Sequence, residues 1–223
     1  LEALLRRALE REEFEIHYQP QVSAADLRIT GVEALLRWRH PEKGLTPPRQ
    51  FIPILEETRL IEQVGAWALE TACRQICSWQ RRGMPSIRLA VNISASQVSP
   101  ASIRQRLSAI LRETAIDPAL LELEITEHSL MVGAGQAIKL LSSLNDFGVS
   151  LAIDDFGTGY SSLSRLKQLP VHSLKIDRSL VRDIPTDPND QAICRAVVAL
   201  GHSLGLNVIA EGVEMEQQAD LLR

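Results

Sequence analysis

Several strand-like segments of this chain finish on a polar or acidic side chain, on the face that alternates away from the bulky aliphatics. In Arg88-Leu89-Ala90-Val91-Asn92 the small set ends at Asn92, while Leu89 and Val91 take the other face. In Leu121-Glu122-Leu123-Glu124-Ile125 the leucines alternate with Glu122 and Glu124, and Ser150-Leu151-Ala152-Ile153-Asp154 ends at Asp154 with Asp155 directly after it. Ser173-Leu174-Lys175-Ile176 puts Lys175 on its small-residue face, and Val208-Ile209-Ala210-Glu211 closes on a carboxylate. With Glu33 from an earlier segment, six groups are expected to converge at strand ends: Glu33, Asn92, Glu124, Asp154, Asp155 and Glu211.

Five carboxylates and one amide around one mouth repel one another unless protons or cations occupy the middle, and cations are the expectation. The set is all oxygen, with no Cys or His at matching strand ends. That favours hard Mg²⁺ or Mn²⁺ over zinc or copper, and the donor count accommodates two ions. A single Asp or Glu of this kind is ordinarily a solvated loop residue or a helix cap; six together at strand ends are not. Lys175 has a rival role as a Schiff-base lysine, which needs a lowered pKa, whereas acidic surroundings raise it.

Seven strand-like segments must position these groups, at roughly 14–19, 28–38, 88–92, 121–125, 150–154, 172–176 and 207–211. The spacing predicts an amphipathic helix over about 60–82, with Ile61, Val64, Ala68, Ala72 and Ile76 on one face. Later helices are expected to begin near Pro100, Gly135, Tyr160, Asn189 and Met215. Strand then helix, repeated, forces parallel strands through right-handed crossovers and closes naturally as a barrel, whose active site lies at the carboxyl ends of its strands. The first connection differs: about eight residues around Ser23-Ala24-Ala25-Asp26 read as a hairpin loop, so one strand is expected to be antiparallel. The predicted class is therefore α/β, a TIM-like (β/α) barrel with one antiparallel strand. Seven strands are one short of eight, which leaves open whether the final strand is absent from this chain.

The 223 residues suit one domain able to bury a core unaided, and 45% hydrophobic with 23% charged residues is ordinary globular usage. No run of about 18 apolar residues or signal peptide is present, so no direct membrane insertion is expected. A net charge of −4 provides no general basic field for polymeric nucleic acid, so a phosphate ligand would need local positive charge, which bound cations could supply. Cys73, Cys77 and Cys194 are too few for a disulfide framework; they fit a reducing cytoplasm and are expected in the core. The scattered His17, His40, His128, His172 and His202 read as structural or solvated, and Trp38 as either near a bound base or packed at a rim. The opening at Leu1 reads as excision from a longer polypeptide.

Glu33-Ala34-Leu35-Leu36-Arg37-Trp38 resembles the signature of EAL domains. It is joined in order by Tyr18-Gln19-Pro20, Phe51-Ile52-Pro53, Val91-Asn92-Ile93-Ser94, Glu124-Ile125-Thr126-Glu127, Asp154 through Ser162 reading DDFGTGYSS, Lys175-Ile176-Asp177 and Glu211-Gly212-Val213-Glu214. Together these are specific and run from residue 14 to about 217.

The resemblance implies a single EAL-type domain over 1–223, from a longer multidomain signalling protein, that hydrolyses cyclic di-GMP to linear pGpG. It implies Glu33, Asn92, Glu124 and Asp154 on one metal, with Asp154 bridging to a second that Asp155 and Glu211 also hold. Lys175 would hold the attacking water or the phosphate, and Gln19, Leu36 and Arg37 would contact the dinucleotide. Glu127 would anchor the DDFGTG loop, and Asp177 and Glu214 would support the mouth. It further implies a homodimer, a covalently linked sensory or GGDEF-type domain, and a cytoplasmic location, with any membrane anchor elsewhere in the full-length protein. Ca²⁺ would bind without supporting turnover. The alternative it carries is a receptor that binds cyclic di-GMP without cleaving it. The family's further strand with a Gln-Gly pair is not in this chain.

Overall fold

A computed structural model describes residues 1–94, 100–131, 134–159 and 163–223, which form two compact units. The first comprises Leu1–Gln21 with Ile29–Leu121, the second Val22–Arg28 with Glu122–Arg223.

The first unit contains α1 (Glu2–Ala8), β1 (Phe14–Val22), β2 (Ile29–His40), β3 (Gly44–Thr46), α2 (Ile52–Glu57), α3 (Ile61–Arg81), β4 (Arg88–Asn92) and α4 (Pro100–Thr114). β1 and β2 form the expected antiparallel hairpin. Arg39 N–H donates to Glu13 C=O at 2.8 Å at one end, and Ser23 N–H to Arg28 C=O at 2.9 Å at the other. β1 continues through Pro20 because it is the outer strand of the order β1-β2-β4, where a missing N–H is tolerated. β2 runs parallel to β4, pairing Glu33 with Ala90, so Glu33 and Asn92 fall on one face two residues apart in register.

Phe14, Trp38 and Phe51 pack with ring centroids 5.9–6.4 Å apart, alongside buried Leu5, Leu55 and Val64. Trp38 is fully buried in this cluster and donates its indole N–H to Glu13 Oε2 at 3.2 Å, so it is a core residue. The predicted helix over 60–82 is α3, whose buried stripe is Val64, Ala68, Leu69, Ala72, Cys73 and Ile76. Cys73 and Cys194 are buried and Cys77 half-buried, all three as thiols. An eighth strand is present beyond the seven expected. It is β3, three residues paired antiparallel with the end of β2, and it extends β2 to His40. His40 shapes that turn, its Nδ1 accepting the N–H groups of Glu42 and Lys43.

The second unit contains β5 (Leu121–Thr126), α5 (Glu127–Met131), α6 (Ala134–Asn145), β6 (Ser150–Phe156), α7 (Leu163–Leu166), β7 (Ser173–Ile176), α8 (Arg178–Arg182), α9 (Pro188–Ser203), β8 (Asn207–Ala210) and α10 (Glu216–Leu222). β5, β6, β7 and β8 are successive parallel neighbours, as strand-helix repetition requires. The helix start expected at Tyr160 lies outside the described residues; α5 and α8 are short helices directly following β5 and β7. α9 starts on Asp187, whose carboxylate accepts the N–H of Asn189, with Pro188 at the first position. Within α9, Gly201 sits directly against Val208 of β8, and any Cβ there would fall on Val208 Cγ2.

Candidate active site

In the first unit, Asn92 Nδ2 donates to Glu33 Oε1 at 2.9 Å. Glu33 and Arg37 lie on the β2 face opposite Trp38, with Arg37 half-buried and donating Nη1 to Leu36 C=O at 3.0 Å. Leu36 alternates to the other face and packs against the aromatic cluster. Gln19 is exposed on β1. Just past Asn92, Ser94 Oγ donates to Glu56 Oε1 at 2.9 Å, fixing the strand exit against α2.

The second unit gathers the remaining charged groups around Lys175. Its Nζ lies 2.6 Å from Glu124 Oε2, 2.6 Å from Glu211 Oε1 and 3.3 Å from Asp154 Oδ1. Lys175 and Glu124 are almost wholly buried, and Glu211 is the most open of the three acids. The sequence arranges this through a small residue. β6 lies between β5 and β7, and Ala152 on it pairs with both Glu124 and Ser173, so only small side chains flank Glu124 in that register, with Lys175 two residues beyond Ser173 on the same face of β7. One layer below, Ser173 Oγ donates to buried Glu122 Oε2 at 2.7 Å, a contact the alternation in β5 marked without assigning it a purpose.

Consecutive Asp154 and Asp155 sit at an irregularity. The β6–β7 register shifts between Ile153 and Phe156, and Asp155 takes the left-handed conformation with φ 55°. Such a bulge breaks strict alternation and re-aims a side chain. Asp155 N–H donates to Asp154 Oδ1 at 2.9 Å. Burial, followed by the neighbouring charges of Asp154 and Asp177, pushes the Asp155 carboxyl up to about 6. Burial acts on Asp177 in the same sense but is outweighed by the hydroxyl and N–H of Ser179 and by the Asp155 carboxyl, which together hold Asp177 below the ordinary carboxylate range. Asp177 is thereby the N-cap of α8.

Glu127 is buried and accepts the N–H of Gly157 at 3.0 Å. Gly157 has φ 98°, and a Cβ at Gly159 would come within 3.1 Å of Glu127 Oε1. The expected anchor of the DDFGTG turn is thus in contact with it; Tyr160, Ser161 and Ser162 lie outside the described residues. Glu214 donates its N–H to Gln218 Oε1, a buried partner that sequence reasoning did not single out.

Residues 2–223 match the family model described as EAL domain. The chain belongs to the EAL domain family. The expected class, an α/β TIM-like barrel with one antiparallel strand, is the fold class of this family. The EAL domain is 46% identical over 218 residues to MucR of Pseudomonas aeruginosa, a bifunctional diguanylate cyclase/cyclic di-GMP phosphodiesterase, covering 98% of this chain and 32% of MucR. It is 44% identical to the cyclic di-GMP phosphodiesterase NbdA of the same organism, covering 100% of this chain and 28% of NbdA. The EAL domain therefore spans about a third or less of these curated relatives. The solved structure of the PaMucR phosphodiesterase in complex with c-di-GMP matches with a TM-score of 0.94 at 46% identity, covering 99% of this chain and 89% of that one.

The donors of the EAL domain fit a hard divalent cation in kind, being carboxylate and amide oxygens without thiolate or imidazole. With the Lys175 ammonium between three of the acids, no group of three or more His, Cys, Asp or Glu among the described residues is arranged as a ready metal cage.

Proposed function

We propose that this EAL domain hydrolyses one phosphodiester of cyclic di-GMP, giving linear pGpG, with divalent metal ions bound. The carrying observation is the convergence of Glu124, Asp154 and Glu211 on Lys175 in a chain 46% identical to a cyclic di-GMP phosphodiesterase. Glu33, Asn92, Glu124 and Asp154 would hold one Mg²⁺ or Mn²⁺, and Asp154, Asp155 and Glu211 a second. When bound, such ions supply Lewis acidity toward water and phosphate oxygens.

The chain's own groups carry the remaining tasks. Glu211, more open than Glu124, accepts a proton from the attacking water, and Lys175 donates a hydrogen bond to that water or to a phosphate oxygen. The water oxygen forms the new bond to phosphorus as the bond to the ribose 3′ oxygen breaks; that oxygen takes a proton from solvent, and Glu211 returns the proton it accepted to solvent. Arg37 and Gln19 engage the dinucleotide, whereas Leu36, on the other face of β2 against the aromatic cluster, supports the strand rather than touching the ligand. Glu127 fixes the turn that follows Asp154 and Asp155, while Asp177 and Glu214 hold the flanking backbone. A homodimer, a linked sensory or GGDEF-type domain and a cytoplasmic setting complete the proposal; the small share of MucR and NbdA that this chain covers supports further domains.

The test is Glu33→Ala, with pGpG separated chromatographically from the cyclic substrate. The variant is expected to bind cyclic di-GMP while forming no pGpG, and undiminished turnover would exclude Glu33 as a required ligand.

A further inference from the structure

Glu211 follows directly on Ala210, the last residue of β8, and its carboxylate lies 2.6 Å from Lys175 Nζ. Its N–H donates to Ile176 C=O of β7 at 3.1 Å. Gln218, on the first turn of α10, is 1% exposed and uses every polar position of its amide. Oε1 accepts the N–H of Glu214 at 2.7 Å and of Met215 at 2.9 Å, and Nε2 donates to the C=O of Val181 at 3.2 Å and of Arg182 at 3.0 Å. Reaching back to the N-cap N–H from three residues inside the helix is half of a capping box. Here the same amide also satisfies two of the C-terminal carbonyls of α8. One side chain thus ties the loop 211–215 to α8, the helix capped by Asp177.

We infer that Gln218 is a positioning residue for Glu211, acting through the loop backbone and never touching substrate. This rests on the hydrolytic role given to Glu211 above. A side chain that orients a metal-binding carboxylate at one remove typically changes metal affinity or turnover by about 10- to 100-fold when lost.

The test uses Gln218→Met, which keeps length and bulk but loses all four hydrogen bonds. Hydrogen exchange read by mass spectrometry should show 211–215 exchanging about tenfold faster or more, with β5 to β7 as protected as in the wild type. The Mg²⁺ concentration for half-maximal hydrolysis should rise and kcat fall by about 10-fold or more, with KM for cyclic di-GMP within about twofold. A residue needed only for folding would lower the yield of folded protein, leaving the metal half-saturation of the folded fraction unchanged; that result, with unaltered exchange at 211–215, overturns the inference. If Gln218→Met does not fold, Gln218→Glu decides. It retains the acceptor for Glu214 and Met215, so their protection should stay near wild type, and loss of that protection in a folded protein is equally contrary. Wild-type protein that forms no pGpG would defeat the phosphodiesterase reading, while the exchange comparison would still decide whether Gln218 holds the loop.

Discussion

Lys175 is a buried ammonium within 3.3 Å of three carboxylates, and it is the balance of charge that makes that cluster tolerable in a folded chain. Removing it leaves acids facing one another with nothing between them. Lys175→Met is therefore expected to destabilise the metal-free protein by about 3–5 kcal/mol. Added Mg²⁺ should restore part of the lost melting temperature, because a divalent ion would occupy the same field. A melt in chelator and then in Mg²⁺ checks this; a variant as stable as wild type in chelator would mean the acids are not coupled through the ammonium. Asp155 provides a pH signature. Its folded pKa, about 6, is raised above the ordinary 3.8, so the folded form holds the proton more tightly. Its contribution is full below about 3.8 and is lost as pH rises through about 6. Without metal, Asp155→Asn should flatten that part of the stability-versus-pH curve, measured by denaturant titration at stepped pH. Among cations, Mg²⁺ or Mn²⁺ should support turnover and Ca²⁺ should not, because calcium prefers bonds of about 2.3–2.6 Å against about 2.0–2.1 Å for magnesium. Equal rates in calcium would count against this assignment.

At the scale of elements, the strand faces on which the candidate site residues stand were legible because strands of period two separate small and polar from bulky aliphatic, as in Ser150-Leu151-Ala152-Ile153-Asp154. β3 was not legible, since Gly44-Leu45-Thr46 is too short to show a period and forms only by pairing with the end of β2. The five-residue helices α5 and α8 were missed for the same reason. The bulge at Asp154–Asp155 left only the trace of two adjacent acids, and Gln218 looked like one polar residue among several in Glu216-Gln217-Gln218. Where elements touch closely, small residues are indispensable. Gly201→Ala should push α9 off Val208 and cost about 1–3 kcal/mol, seen as a lower denaturation midpoint. On α3, burial pushes the Cys73 thiol up to about 12. Native protein at pH 8 is accordingly expected to resist alkylation at Cys73 until denaturant is added, and rapid native labelling there would contradict its packing.

For the molecule as a whole, composition narrowed the partners and motif order identified the family. No helix among the described residues is long and apolar enough to cross a membrane. A net charge of −4 offers no general attraction to a phosphate ligand, so the proposed binding of cyclic di-GMP would draw on local positive charge such as bound cations. What the sequence could not supply is the state of the acids themselves: alternation gives the face of a side chain, whereas the contacts of Lys175 depend on strand order and on the register that sets small Ala152 and Ser173 beside Glu124. The most direct measurement is formation of pGpG from cyclic di-GMP by the purified domain, first with excess chelator and then with Mg²⁺ restored. No pGpG in chelator and turnover on restoring the metal is the predicted result. Undiminished turnover in chelator, or tight binding of cyclic di-GMP with no cleavage in either Mg²⁺ or Mn²⁺, would contradict it.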